Sequence, residues 1–200
     1  MHMKLRQLLT ACTAASVITL MSGCAHDITI SGDSSTLVGK SATPINKTVG
    51  LVITDEERTK EVVTPGGGGD KVSYKPYRDL ELPIYLELNN VFKDVVKLNE
   101  QPDATTIRAK NLSYIVTPSI TTTSSSASLL TWPPTDFTVT LECTVTDPTG
   151  KLVEKKSVTG SGHAEFSEFK RNFGLAAQRA TLDAVQKMQS AMQESTELRQ

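Results

Sequence analysis

The sequence predicts an α+β fold, a single mainly antiparallel sheet with two helices packed on one face. Three observations carry that expectation. The run Thr48-Val-Gly-Leu-Val-Ile-Thr54 is nearly continuous in apolar residues, the pattern of a strand buried on both faces. Alternating residues from Phe137 to Val145 lead into Asp147-Pro148-Thr149-Gly150, with proline at the second turn position and glycine at the fourth, a hairpin signal. Segments 82–98 and 168–195 repeat apolar residues every three or four positions, as helices that bury one face do.

Taken in order, residues 27–47 are rich in Ser, Thr and Gly, which predicts a flexible tether over 24–47 ahead of a domain spanning 48–200. After the 48–54 strand, Val62-Val63-Thr64 and Lys71-Val72-Ser73-Tyr74 flank Pro65 and the glycines Gly66 to Gly69, a hairpin around a glycine-rich loop. A phosphate loop is a poor match, because Asp70-Lys71-Val72 continues into a strand pattern and not into a helix carrying Ser or Thr after the lysine. The 82–98 helix starts with Pro83 near its first turn, where a missing N–H costs least. Its expected buried face is Leu88, Val91, Phe92, Val95 and Val96, and its expected polar face is Glu87, Lys93, Asp94 and Lys97. From Asn111 a strand pattern runs through Ile120 into the Thr/Ser tract, and strands over 135–146 and 151–162 complete a three-stranded meander. In the last helix Ala177, Ala180, Ala184 and Ala191 permit close packing on the sheet. The opposite face of the sheet, with Thr138, Thr140, Glu142, Thr144 and Thr146, is predicted polar and wet.

The amino-terminal segment carries the clearest functional signal. Lys4 and Arg6 precede an apolar stretch from Leu8 to Met21, too short for a comfortable bilayer span and placed as in a cleaved export signal. It ends in Met21-Ser22-Gly23-Cys24. This tetrapeptide resembles the lipobox of bacterial lipoproteins, although Met21 stands where Leu is more usual. The plainer reading is an ordinary secretory signal that leaves Cys24 as a free thiol. The resemblance implies a signal over 1–23, cleavage before Cys24, and acyl chains on its sulfur and new amino group. Each buried methylene adds about 0.8 kcal/mol, so three chains make an effectively permanent anchor. Ala25 and His26 follow Cys24 with no aspartate, which by the same resemblance implies the outer membrane, with the domain facing the periplasm.

Removing residues 1–23 leaves 177 residues with 19 basic and 22 acidic side chains, a balance that favours neither nucleic acid nor a polybasic membrane patch. Cys143 is then the one cysteine outside the signal and the lipid site, so no internal disulfide is available. Its strand pattern places it with Phe137, Val139, Leu141 and Val145 as a small buried hydrophobe.

The search for chemistry returns little. His26 and His163 are the only histidines beyond the signal, and a metal site using both needs the spacer to fold back. No Gly-x-Ser-x-Gly elbow occurs, and His163 is the one domain histidine that could serve as a base. No catalytic residue, metal site or cofactor is therefore expected. The unusual feature is the Thr/Ser tract 117–128 giving way to Leu129-Leu130-Thr131-Trp132-Pro133-Pro134. Leu129, Leu130 and Trp132 form either a tip that touches a partner, such as an envelope protein or peptidoglycan, or a cap over the sheet's open end.

As a whole the chain resembles the YajG-like lipoproteins and, more loosely, other small α+β envelope lipoproteins that assist assembly machines, including penicillin-binding-protein activators and curli-secretion-like domains. The resemblance is one of architecture, and Met21 to Cys24 is its only matching motif. It implies a non-enzymatic, lipid-anchored accessory or binding component of a cell-envelope assembly. The alternative is a carrier that holds an amphiphile between its helices and its sheet.

Overall fold

The apolar run predicted as a central strand lies inside a five-stranded sheet, second from its edge. The computed structural model describes residues 25–37, 43–64, 71–126 and 133–200. In chain order the described elements are β1 (His26–Asp27), a 3₁₀ turn (Ser34–Leu37), β2 (Ile45–Val52), α1 (Asp55–Thr59), β3 (Val62–Val63), β4 (Val72–Tyr74), α2 (Pro76–Val91) and β5 (Phe92–Leu98). They continue with α3 (Ala104–Ala109), β6 (Tyr114–Ser125), β7 (Asp136–Thr146), β8 (Leu152–His163), α4 (Phe166–Phe169), α5 (Leu175–Gln193) and a 3₁₀ turn (Glu197–Arg199).

The single antiparallel sheet expected from the sequence is replaced by two sheets. The larger has the order β5-β2-β6-β7-β8, and the smaller has the order β1-β4-β3. β2 pairs parallel with both β5 and β6, whereas β6, β7 and β8 form the predicted antiparallel meander, so the large sheet is mixed. The physical reason lies on both sides of β2. Val49 and Leu51 face the main core, while Val52 joins Leu98, Leu112 and Ile115 in a second apolar cluster on the other face. A strand buried on both sides takes parallel partners reached by helical crossovers, here α2 before β5 and α3 before β6. Helices α2 and α5 cover one face as expected, and α3 contributes Ile107 to the cluster on the other.

The helix expected over 82–98 is instead α2 joined without a loop to β5. Pro76 occupies the first helical turn, Pro83 lies inside the helix, and Phe92 ends it with its N–H still donating to the Leu88 carbonyl. Valines at 95 and 96 then suit the strand, where β-branching is favoured. The final helix likewise breaks into α4 and α5 around Gly174, and Phe173 falls between them.

Residues expected as spacer are built into the fold. The His26 N–H donates to the Lys71 carbonyl (2.8 Å) and the Ile28 N–H to that of Ser73 (2.9 Å), and Ile30 and Leu37 are buried in the core. The Ile30 N–H donates to Asp79 Oδ2 at 3.2 Å. Three apolar residues spaced through a polar segment were enough to dock it, although their spacing matched no regular element.

Helix α5 lies directly on β8. Gly160 and Gly162 face Ala176, Ala180 and Ala184, and a Cβ at either glycine would overlap the α5 backbone. The same helix closes the free edge of β8: Asp183 accepts the Ser161 N–H (2.9 Å), and Lys187 Nζ donates to the Thr159 carbonyl (3.0 Å). An edge strand capped this way cannot add a further strand along those groups.

Candidate functional site

Strand pairing decides what meets at the end of the meander. Counting outward from the Asp147–Gly150 turn, and allowing for the irregularity between Val145 and Thr146, the register sets Asp136 opposite His163 and Ser125 opposite Asp136. Side chains on directly paired residues share a face. His163 Nδ1 and Asp136 Oδ1 are 2.7 Å apart, and His163 Nε2 lies 3.4 Å from Glu165 Oε1. Around them Thr123, Ser125, Thr138 and Ser161 line an open pocket of about 380 Å³ on the wet face of the sheet. Hydroxyls continue along that face as cross-strand pairs, Thr123 with Thr138 at 2.6 Å and Thr140 with Thr159 at 3.0 Å.

The imidazole bridges two carboxylates lying on opposite sides of its ring. That geometry holds the ring in place with both its nitrogens engaged, and leaves the surrounding hydroxyls to bond a polar ligand. Among the described residues, no group of three His, Cys, Asp or Glu side chains is placed to hold a metal ion. The hydrogen bond to Asp136, with the charges of Asp136 and Glu165, raises the His163 pKa above its ordinary 6.5. Because the folded-state value lies above the unfolded one, the pair's stabilisation is fully present below pH 6.5 and is lost as pH rises through the folded value. Asp136→Asn is expected to bring the His163 midpoint down, read from the imidazole proton shifts in an NMR titration. An unmoved midpoint would mean that the pair does not exist in solution.

The site is braced from the helix side. The Arg179 guanidinium bonds both Glu168 oxygens (2.9 and 3.1 Å) and donates to the His163 carbonyl (2.6 Å). Those bonds, with the Glu165 N–H, hold the Glu168 carboxyl at a pKa of about 2. The Ala164 N–H donates to the Thr135 carbonyl (2.8 Å), which fixes the start of β7 against the end of β8.

Of the residues singled out from sequence, Cys24, Leu129, Leu130 and Trp132 lie outside the described residues, as do Gly66 to Gly69. β6 ends at Ser125 and β7 starts at Asp136, and both of these residues line the His163 pocket. Cys143 is fully buried, and burial, followed by the charges of Glu87 and Glu142, pushes its thiol pKa well up. His26 is folded back, its ring stacked on Phe173 with centroids 4.4 Å apart. Sequence reasoning missed Asp136 as the partner of His163, although the predicted hairpin supplied the register that finds it. A second, more apolar pocket of about 240 Å³ lies between α2, α5 and the amino-terminal arm, lined by Leu37, Pro83, Leu175 and Leu182.

No family model and no curated protein sequence matches this chain. Solved structures similar to it include a minor lipoprotein from Acinetobacter baumannii, at 13% identity and a TM-score of 0.42, covering 74% of this chain and 94% of the other. A Xanthomonas campestris protein of the DUF330 family is similar at 10% identity and a TM-score of 0.46, covering 76% and 90%. The PelC dodecamer from Paraburkholderia phytofirmans gives 15% identity and a TM-score of 0.40, covering 74% and 94%. At these scores the likeness is one of outline.

Proposed function

We propose that this chain is a non-enzymatic lipoprotein of the bacterial envelope, anchored through acylated Cys24 to the periplasmic face of the outer membrane, whose domain binds another envelope component. The anchor rests on Met21-Ser22-Gly23-Cys24 and the signal before it. One observation supports the binding role: Ser125, which ends β6, and Asp136, which starts β7, both line the His163 pocket, and the sequence between them carries Leu129, Leu130 and Trp132. A hydroxyl-lined recess beside an apolar segment fits a partner that offers hydrogen-bonding groups and some apolar surface, as peptidoglycan-associated or outer-membrane proteins do. The imidazole's described contacts are to carboxylates and not to a hydroxyl nucleophile, which is why binding is preferred over hydrolysis.

In-cell photocrosslinking tests this directly. Photoreactive residues at Thr138 and Trp132 are expected to capture the same envelope protein or muropeptide, while one at exposed Lys93 on β5 captures neither. Adducts equal at all three positions, or absent from both test positions, would sink the proposal. The carrier reading keeps a place because Leu37, Pro83, Leu175 and Leu182 give the 240 Å³ pocket an apolar wall, with Asp33, Gln178 and Arg179 on its polar side, although it opens between the helices and the amino-terminal arm and not between helices and sheet. On that reading organic extraction of the purified protein releases one amphiphile per chain beyond the acyl groups of Cys24, and an extract without it removes the reading.

A further inference from the structure

The folded amino-terminal arm fixes which end of the domain meets the membrane. His26 is held by β1–β4 pairing and by its stack on Phe173, and Cys24 is only two residues upstream, a reach of about 7 Å even when extended. Phe173 touches Phe169, with centroids 5.0 Å apart. Phe169 is buried at the far end of α4, and its helix partner Phe166 is one of the few large apolar side chains left half-exposed among the described residues. Lys170 Nζ lies 5.1 Å above the Phe166 ring, and exposed Arg171 follows it. Of the acidic residues around this patch, Glu168 is held by Arg179, and Glu165 by His163 and a capping box with Glu168, while exposed Asp27 follows His26.

We infer that Phe166, Lys170, Arg171 and the His26–Phe173 stack form a membrane-resting footprint. Phe166 enters the headgroup boundary, and the two basic side chains meet lipid phosphates. The inference rests on acylation of Cys24, as proposed above. Aromatic rings with adjoining long cationic side chains suit that boundary, because the ring has an apolar body and the ammonium or guanidinium can stay in water. The small number of charges matches a chain whose anchor, and not its electrostatics, supplies the binding strength. A protein occupant of the same patch is the competing outcome.

The test uses the full-length lipoprotein purified from cells and reconstituted into vesicles of phosphatidylethanolamine and phosphatidylglycerol. Nitroxide labels are placed through Phe166→Cys, and separately Lys170→Cys, with Thr149→Cys at the β7–β8 turn as control. Buried Cys143 and acylated Cys24 leave the new thiol as the reactive one. At 166 and 170, oxygen accessibility is expected to rise, and that of a water-soluble nickel chelate to fall, several-fold relative to 149. Mass spectrometry of the amino-terminal peptide reads the premise separately. Aqueous labels at both 166 and 170 on protein with triacylated Cys24 would overturn the footprint alone. An unmodified Cys24 would overturn the anchor and the footprint with it.

Discussion

Gly162→Ala and Gly160→Ala are each expected to cost about 3 kcal/mol or more, a large share of the stability of a domain this size, measured as a shift of the urea midpoint at unchanged slope. Both glycines sit under α5, where a Cβ would meet the carbonyl or amide of Ala176, Ala180 or Ala184 and not a side chain able to turn away. The helix would have to lift, and lifting it also breaks the Ser161–Asp183 and Lys187–Thr159 bonds that close the edge of β8. The comparison is Gly50→Ala, whose Cβ would press on the flexible ends of Leu98 and Leu112, at a cost of about 1 kcal/mol. Equal effects at 50, 160 and 162 would show that the α5 contact is looser than described.

Glu87→Leu should act in the opposite direction and stabilise the protein at neutral pH by about 1–3 kcal/mol. Glu87 is fully buried, and both carboxylate oxygens lack a hydrogen-bond partner among the described residues. Burial raises its pKa well above 4.5. The folded state therefore holds a proton that the unfolded chain gives up, and stability falls as pH rises from about 4.5 toward the raised value, by at most about 1.4 kcal/mol per pH unit. Glu87→Gln should abolish that slope, and Glu87→Leu should remove the slope and the desolvation penalty together. Denaturation curves collected across pH decide it. A variant pair less stable than the parent at pH 7, with the slope intact, would overturn this account.

Glu87 also marks where the sequence misled. A helix counted from Leu82 to Leu98 puts Glu87 among polar neighbours. The real helix starts at Pro76, and its buried stripe runs through Leu80, Pro83, Ile84, Glu87, Leu88 and Val91. The error follows from the α2–β5 junction, which has no glycine or proline, and where the one local stop signal, Asn89-Asn90, is followed at once by apolar Val91-Phe92 that continues the helical spacing. Elements with their own local chemistry were legible: the Asp147–Gly150 turn with Gly150 at φ 85°, the alternating β7, the alanine-lined α5 and the β3–β4 hairpin. Those that depend on distant partners were not. Parallel pairing of β2 and docking of the amino-terminal arm are both decided by tertiary burial, which no window of sequence displays. The candidate site was half legible, because His163 could be named but its carboxylate partner needed the register.

The same strand that places Asp136 also sets a scale. β7 has 11 residues, which at about 3.4 Å per residue spans roughly 37 Å from the His163 end to the β7–β8 turn. With the arm folded, an acylated Cys24 would give the domain almost no slack, and on the proposed footprint that turn would stand at most about one strand's length above the lipid. On that proposal, a partner fixed deeper in the periplasm than this would lie out of range. Contact would have to be made in the thin aqueous layer next to the bilayer, either by a component already bound there or by one that reaches down to it.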